Sequence, residues 1–281
     1  MPARTLLLTA VAMLAFAGNS LLCRLALKTT EIDPATFTSL RLLSGALMLA
    51  LLLRLRHGRA AMAGSWGGAT ALFIYAAAFS FAYGSLAAGV GALLLFGAVQ
   101  ISMLLWGWLQ GERPGPMSLA GLLLAFAGLL TLLLPGASAP ALGGSLLMLL
   151  AGVAWGTYSL LGRTSSDALA ATTGNFVRSL PMAALLSLVL LQTASWDMNG
   201  VLYALASGAL ASGLGYAIWY MAIVDLKAIQ AATVQLSVPI ITALAGGLLL
   251  DEALSLRLTL SSLAVLGGIA LVLAARQRAT A

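Results

Sequence analysis

The chain has 281 residues, of which 61% are hydrophobic and 8% are charged, and its formal net charge is +6. Soluble domains carry about 25% charged residues, so the composition excludes a soluble globular protein and indicates a polytopic membrane protein. The basic residues are scattered or lie beside apolar segments, which argues against a nucleic-acid partner. One cysteine, one histidine and the lack of a Walker-type motif give no basis for a zinc site, another cofactor or direct use of ATP.

Ten apolar segments of roughly 20 residues are each predicted to be a membrane-spanning helix. In chain order they are 5–26, 34–53, 66–86, 89–110, 117–134, 143–163, 172–191, 200–223, 227–250 and 256–275. The first segment also resembles a cleavable signal peptide, with a basic start and an Ala15-x-Ala17 pair. We predict a retained helix, because a similar segment recurs in the middle of the chain.

The distribution of lysine and arginine predicts the orientation in the membrane. Ten spans place both termini on one side, which carries nine basic residues: Arg4, Arg54, Arg56, Arg59, Arg113, Arg163, Lys227, Arg276 and Arg278. The other side carries three, which are Arg24, Lys28 and Arg257. Cytoplasmic loops are enriched in lysine and arginine, so both termini are predicted to be cytoplasmic.

The chain matches itself weakly when it is shifted by roughly half its length. The stretch Ser20–Arg24 (SLLCR) aligns with Ser159–Arg163 (SLLGR). The same shift pairs Arg41 with Arg178, Glu112 with Glu252, and Gly128 with Gly268. Each half, 1–139 and 140–281, holds five predicted helices, an odd number, so the second half is inserted upside down. The predicted fold is therefore all-α, with ten transmembrane helices as two inverted five-helix repeats around a central cavity, as in many secondary transporters.

The stretch from Tyr220 to Leu273 resembles the signature of the drug/metabolite transporter superfamily, in its EamA-type ten-helix branch. The residues that carry the resemblance are Ala228, Ala231, Ala232, Pro239, Glu252, Gly267 and Gly268. A weaker copy in the first half consists of Gly91, Ala92, Glu112, Gly121 and Gly128, with Val99 in the place of Pro239. These positions are mostly packing and turn positions, so they identify the superfamily better than the substrate.

Within that branch, the chain is most similar to bacterial YddG-type exporters of aromatic and other amino acids. The resemblance implies a central cavity, an inner-membrane location and export of amino acids, without a cofactor or an obligate protein partner. The residues alone indicate a secondary carrier of a small molecule, with the carrier embedded in the lipid bilayer. Export of another metabolite such as a purine or a drug-like molecule, an intramembrane enzyme and a channel are the alternatives.

All eight acidic residues lie in loops or at the ends of predicted helices. Proton-coupled exporters of lipophilic cations usually rely on a carboxylate deep in a span. This pattern argues against efflux of cationic drugs and favours a neutral or zwitterionic substrate that moves down its own gradient.

Three amides lie within predicted spans and are candidate substrate-binding residues: Asn19, Gln100 and Gln235. An amide can meet both an ammonium and a carboxylate group. The alternative role is an interhelical hydrogen bond, which is common in membrane bundles.

Aromatic residues supply the other candidates for the wall of the cavity. Trp155, Thr157 and Tyr158 cluster in the sixth predicted helix, beside a small-residue face formed by Gly152 and Gly156. Tyr75, Phe79 and Tyr83 form one stripe on the third predicted helix, spaced i, i+4 and i+8. Four further aromatic residues near the cytoplasmic ends of helices are predicted to be anchors at the membrane interface: Trp106, Trp108, Trp219 and Tyr220.

Two arginines and two prolines within spans are predicted to have structural or gating roles. Arg41 and Arg178 occupy equivalent positions in the two halves, so one small substrate at the centre cannot contact both. Paired anchors or gate elements are therefore favoured over a clamp for a substrate carboxylate, with the Arg41 side chain reaching back to the interface or capping backbone carbonyls of a neighbouring helix. Pro181 and Pro239 free backbone carbonyls within helices, which permits a hinge, a contact to a ligand or a passive kink.

Overall fold

A computed structural model of the chain describes residues 3–57, 62–111, 115–136, 139–162, 165–226 and 228–279. All regular secondary structure in these ranges is helical. The α-helices are α1 (Ala3–Thr29), α2 (Pro34–His57), α3 (Trp66–Tyr83), α4 (Ala88–Leu109), α5 (Pro116–Leu133), α6 (Leu142–Gly162), α7 (Ala168–Val189), α8 (Met198–Ala206), α9 (Gly215–Ile223), α10 (Ala228–Gln235), α11 (Ser237–Leu250) and α12 (Leu256–Ala279). A 3₁₀ turn covers Leu191–Thr193, and a π-helical segment, Ser207–Leu214, joins α8 to α9.

The prediction of an all-helical polytopic membrane protein is confirmed. Among the described residues, nine spans are long and apolar enough to cross a membrane. One of them, Met198–Ile223, consists of α8, the π-helical segment and α9, and another joins α10 to α11. The tenth predicted span is α7, whose 22 residues reach about 33 Å but include buried polar residues that lower its hydropathy.

Helix ends differ from the predicted spans by a few residues, and local hydrogen bonds explain one of these shifts. α7 begins at Ala168 rather than at residue 172, because the Asp167 carboxylate accepts hydrogen bonds from the amides of Leu169 and Ala170. This side chain caps the helix and satisfies two of its free N–H groups.

The most extensive helix contacts join the first half of the chain to the second. α5 packs along α12, α2 along α7, α3 and α4 along α6, and α4 along α11. α1 packs along the span formed by α8, the π-helical segment and α9. The two halves therefore share one interior rather than forming separate domains, and the inverted relation between them stays a prediction.

Glycines allow α5 and α12 to approach each other closely. A Cβ atom on Gly121 would lie 2.5 Å from the carbonyl oxygen of Gly268, and one on Gly128 would lie 2.9 Å from the amide of Val265. A Cβ atom on Gly268 would collide with the Gly121 carbonyl oxygen and lie 2.6 Å from the Ala125 amide. Backbone meets backbone here, so no side chain can move away to make room, and the predicted packing role of these glycines is confirmed.

Gly268→Ala is expected to destabilise the protein, whereas Gly267→Ala is not. Alanine normally stabilises a helix by about 1 kcal/mol relative to glycine, but at position 268 overpacking costs about 1–3 kcal/mol. A Cβ atom on Gly267 has no neighbouring atom within 4 Å, so this adjacent position is a matched control. The thermal unfolding midpoints of the two variants in the same detergent provide the measurement, and equal midpoints would contradict the packing argument.

Candidate substrate-binding site

Nine aromatic rings from five helices meet in the interior of the bundle, and we call them the aromatic cluster. They are Phe16 of α1, Tyr75, Phe79 and Tyr83 of α3, Trp155 and Tyr158 of α6, Phe176 of α7, and Tyr216 and Trp219 of α9. Tyr75 and Trp155 lie in the middle third of their helices, so this part of the cluster is far from both membrane surfaces.

Trp155 connects three of the helices. Its ring centroid lies 4.8 Å from that of Tyr75, 5.3 Å from that of Tyr216, and 5.2 Å from that of Tyr158, on which it stacks. The predicted glycine face beside it is confirmed: a Cβ atom on Gly152 would lie 2.5 Å from the Ala98 side chain of α4. α6 is thereby held close to α4 while Trp155 projects into the interior.

Tyr216 is the second centre of the cluster and was not identified from the sequence. Its ring lies 5.8 Å from Phe16 and 6.1 Å from Phe176, in addition to its contact with Trp155. The aromatic-rich stretch Gly215–Tyr220 contains the signal, but its position near a helix end predicts that Trp219 and Tyr220 lie at the membrane interface.

That assignment is wrong for Trp219, which is 8% exposed and lies 6.0 Å from Phe16. The Tyr220 hydroxyl likewise turns inward and lies 2.7 Å from the Thr172 hydroxyl. Both residues lie on the face of α9 that packs against α1 and α7, and sequence position near a helix end does not reveal which face is covered. Trp106 and Trp108, at 49% and 55% exposure, do lie on the outer surface.

The predicted stripe on α3 is confirmed as one buried face. Tyr75, Phe79 and Tyr83 are each at most 4% exposed, and successive ring centroids lie 5.4 Å and 4.7 Å apart. The Tyr83 hydroxyl donates to the carbonyl oxygen of Ala88 at 3.3 Å. The stripe therefore extends the aromatic cluster to the end of the bundle at which α3 ends and α4 begins.

Asn19 forms interhelical hydrogen bonds beside the cluster, the alternative role considered for it. Its Nδ2 donates to the Tyr75 hydroxyl at 3.2 Å, and its Oδ1 accepts from the Ser207 hydroxyl at 2.7 Å. Asn19 thus links α1 to α3 and to the first residue of the π-helical segment. Its amide remains adjacent to the rings, so the bonds do not remove it from the candidate site.

The π-helical segment brings its backbone against α2. A Cβ atom on Gly208 would overlap the Ser44 hydroxyl and the Arg41 carbonyl oxygen, and one on Gly45 would lie 2.6 Å from the Phe176 ring. π-helical insertions occur frequently at functional sites, because the extra residue changes the direction of the side chains that follow. Here the insertion lies between α8 and the turn of α9 that carries Tyr216.

Arg41 is the largest fully buried side chain described, at 2% exposure. Its guanidinium carbon lies 5.1 Å from the centre of the Tyr75 ring and 4.8 Å from that of Phe79. Nε and Nη1 have no hydrogen-bond partner within the described part of the chain. The expectation that this side chain reaches back to the interface is wrong, because the rings of α3 enclose it.

Arg178, the predicted counterpart of Arg41, has a different environment. It is half-buried, and its Nη1 donates to the carbonyl oxygen of Ala63 at 2.6 Å. The neighbouring Asn175 accepts from the amide of Ser65 at 2.9 Å. These bonds tie α7 to the segment that precedes α3, so Arg178 forms a backbone contact that Arg41 lacks.

Thr157 is not part of the interior. It is exposed on the outer face of α6, and its hydroxyl donates to the carbonyl oxygen of Val153. Two residues along an α-helix correspond to a rotation of about 200°, which places Thr157 opposite Trp155. Tyr158 remains buried, and its hydroxyl donates to Thr172 at 3.2 Å.

The remaining predicted residues lie in spans but outside the ring contacts of the cluster. Gln100 is buried in α4, at 9% exposure. Gln235 is half-buried and ends α10, and buried Pro239 follows in the first turn of α11. Proline has no N–H group, so the Gln235 carbonyl loses its usual partner at this interruption. Pro181 is exposed on α7, which continues through it.

An ion pair lies between the end of α1 and the loop after α11. Arg24 Nε is 2.8 Å from Glu252 Oε1, and the two side chains are 14% and 10% exposed. Arg24 also donates to the Tyr83 carbonyl oxygen at 2.9 Å, and Glu252 Oε2 accepts from the Ala88 amide at 2.6 Å. The pair thus joins four helix ends. They lie at the end of the bundle away from the start of α1, which we call the opposite end of the bundle. Glu112, the predicted counterpart of Glu252, lies outside the described residues.

Two loops at the opposite end are also hydrogen-bonded to each other. The Asp33 amide donates to the Ser195 carbonyl oxygen, and the Asp33 carboxylate accepts from the Ser195 amide, both at 3.0 Å. Burial alone would raise the pKa of Asp33, but hydrogen bonds from Thr36 and from the amides of Ser195 and Ala35 outweigh it and lower the pKa. The ionised carboxylate also caps α2 and fixes where that helix begins.

A cavity of about 290 Å³ lies at the other end of the bundle, where α1 begins and α2 ends, which we call the basic end. It is lined by Arg4, Leu8, Arg56, Tyr220, Met221, Val224 and Asp225. Beside it, the hydroxyl of Thr5 donates to Asp225 at 2.7 Å. From Tyr220, hydroxyl contacts through Thr172 and Tyr158 lead to the stack on Trp155.

Membrane-spanning helices that enclose polar and aromatic side chains define a polytopic membrane protein, the architecture on which secondary transporters are built. Residues 142–274 match the model of the EamA-like transporter family. The matched region covers most of the second half of the chain, which is therefore similar to the EamA-like transporter family.

Similar proteins align along nearly the whole chain. An uncharacterised protein of Pseudomonas aeruginosa is 65% identical over 274 residues, which cover 97% of this chain and 96% of the relative. A protein of Archaeoglobus fulgidus named as an uncharacterised transporter is 26% identical over 269 residues, covering 90% and 91%. A solved crystal structure shares the fold, with a TM-score of 0.65, 20% identity and coverage of 97% and 98%.

Proposed function

We propose that this protein is a secondary exporter of amino acids, in particular aromatic and other neutral ones. The proposal places it in the bacterial inner membrane, with both termini in the cytoplasm. The basic end is then cytoplasmic and the opposite end faces outward. The nine-to-three distribution of basic residues supports this orientation.

The aromatic cluster is the observation that carries the proposal. Aromatic faces attract flat apolar side chains, and each well-placed ring pair contributes about 0.5–1.5 kcal/mol beyond its buried area. Rings from both halves of the chain surround Trp155, so a substrate held there contacts both. A site shared between two halves is suited to alternating access, in which one half moves relative to the other around the substrate.

Two features support a cycle of alternating access. At the opposite end, Arg24 and Glu252 join α1 to the α11–α12 loop. At the basic end, the cavity is bordered by Tyr220, from which polar contacts lead to the aromatic cluster. The arrangement corresponds to a carrier closed toward the outside and ready to receive a substrate from the cytoplasm. The two predicted repeats, 1–139 and 140–281, would exchange conformations when the carrier opens toward the outside.

The proposed site combines most of the residues predicted from the sequence with those that the fold adds. The proposed substrate-contacting residues are Trp155, Tyr158, Tyr75, Phe79, Tyr83, Asn19, Gln100, Gln235 and Tyr216. Arg178, Pro181 and Pro239 are proposed as structural or gating residues. Pro239 and the Gln235 carbonyl would permit bending between α10 and α11.

Counterflow in proteoliposomes tests the proposed function. Vesicles preloaded with unlabelled tryptophan should accumulate labelled tryptophan and phenylalanine in a saturable manner, and protein-free vesicles should not. The exchange should persist without a pH gradient, since the sequence places no carboxylate deep in a predicted span. Exchange of a purine base but of no amino acid would contradict the proposal and favour the alternative substrate class. Non-saturable flux would indicate a channel.

A further inference from the structure

We propose that Arg41 binds the carboxylate group of the transported substrate, while the neighbouring rings receive its side chain. This inference rests on the proposed function and adds a specificity to it: the carrier selects substrates by their carboxylate. It differs from the structural or gating role that the repeat suggested for Arg41.

The first argument is the uncompensated charge. A guanidinium stays protonated in a protein, and Arg41 is 2% exposed with Nε and Nη1 unpaired. A buried donor without a partner costs about 1–3 kcal/mol, and more when it is charged. In the described part of the chain, Arg24 forms an ion pair with Glu252, but Arg41 forms none. The fold therefore maintains a costly cation in its interior.

The aromatic contacts of Arg41 offset part of this cost but leave its hydrogen bonds unmade. Tyr75 and Phe79 present their rings to the guanidinium at 5.1 Å and 4.8 Å, which is within the range of cation–π attraction. A ring face stabilises the charge without accepting in-plane N–H groups. Those groups remain available to a ligand, and a carboxylate is the anion whose oxygen spacing matches the guanidinium fork.

Tyr75 links Arg41 to the centre of the aromatic cluster. The Tyr75 ring centre lies 5.1 Å from the Arg41 guanidinium carbon and 4.8 Å from the ring centroid of Trp155. A carboxylate on Arg41 therefore leaves a substrate's ring near Trp155 and Tyr216. Asn19, hydrogen-bonded to Tyr75, lies beside the same place and can accept from an ammonium group.

Arg178 provides the internal comparison. It is the same residue type at the equivalent position of the other half, but it is half-buried and bonded to the Ala63 carbonyl oxygen. A purely structural arginine in a bundle of this kind finds such backbone acceptors. The contrast separates a structural arginine from one whose Nε and Nη1 donors are buried without a partner.

Ligand binding to the purified full-length protein in detergent tests the inference, with three related probes. Tryptophan has both charged groups, tryptophanamide lacks the carboxylate, and indole-3-propionate lacks the ammonium. We expect the wild type to bind tryptophan and indole-3-propionate at least about tenfold more tightly than tryptophanamide, as charged hydrogen bonds imply. Arg41→Gln and Arg41→Lys should reduce this preference, the glutamine variant more, because lysine keeps the charge but loses the fork. Arg178→Gln should leave it unchanged.

The outcomes are distinguishable. Equal wild-type affinity for tryptophan and tryptophanamide overturns the role of Arg41 but leaves an aromatic amino acid carrier. An equal loss of preference in Arg178→Gln and Arg41→Gln also overturns it, since the effect is then not specific to the buried arginine. Absence of binding by all three probes overturns the proposed function and this inference together. The wild-type comparison does not depend on the folding of any variant.

Discussion

Trp155→Ala is expected to raise the half-saturation concentration for tryptophan counterflow by at least about tenfold, which corresponds to roughly 1.4 kcal/mol. Trp155 contacts rings of α3, α6 and α9, so its removal takes away the face that a substrate ring would meet and loosens the neighbouring rings. Trp155→Phe keeps an aromatic face and should recover most of the affinity. The measurement is the concentration dependence of counterflow in proteoliposomes.

The matched control for this prediction is Trp106→Ala. Trp106 is 49% exposed on the outer surface of α4, so the same change there should leave the half-saturation concentration unaltered. Truncating a packed tryptophan also costs stability, about 3–5 kcal/mol, and each variant must elute as a monodisperse peak before transport is compared. A folded Trp155→Ala variant with wild-type half-saturation would show that the aromatic cluster is not the binding site.

Glu252→Gln is expected to open the opposite end of the bundle. Glutamine can still accept from the Ala88 amide, but it removes the charge that pairs with Arg24. A charged hydrogen bond between partly buried groups contributes about 1.5–3 kcal/mol, so the population open at this end should rise by about tenfold or more. The prediction concerns conformation and can be tested before any substrate is known.

Cys23 provides a reporter for this opening. It is the one cysteine in the sequence, it is fully buried, and it precedes Arg24 on α1. Labelling with a membrane-impermeant maleimide in right-side-out vesicles should be slow in the wild type and about tenfold faster in Glu252→Gln. Glu31→Gln removes an exposed carboxylate near the same end and should not change the rate, and Cys23→Ser should abolish labelling. An unchanged rate in Glu252→Gln would contradict a role of the ion pair in closure.

The positions of the spans could be predicted because hydrophobicity is a local property of sequence. A helix in hydrocarbon satisfies all its backbone hydrogen bonds internally, so length and apolarity almost suffice to locate it. α7 shows the limit of this reasoning. Its polar residues are buried against neighbours, as with Thr172 and Thr173, so the helix is long enough to span a membrane but is less apolar than the other spans.

The orientation of side chains around each helix was predicted less well. Periodicity placed Tyr75, Phe79 and Tyr83 on one face, and the structure confirms that the face is buried. Periodicity could not predict whether Trp219 and Thr157 face the lipid or the interior of the bundle. Lipid is as apolar as the protein interior, so hydrophobicity does not distinguish the two. Tyr216 was missed for the same reason, although it contacts three other rings of the cluster.

The sequence by itself determined the membrane class, the number of spans, the family resemblance and the glycine positions at which helices pack closely. These follow from composition and from short-range patterns, which a bilayer makes unusually informative. The tertiary structure decided which side chains meet. Arg41 and Arg178 are predicted to be counterparts in the two repeats, but one is enclosed by the rings of α3 and the other bonds to a backbone carbonyl. Contacts between helices distant in the chain create that difference, and no local pattern encodes them.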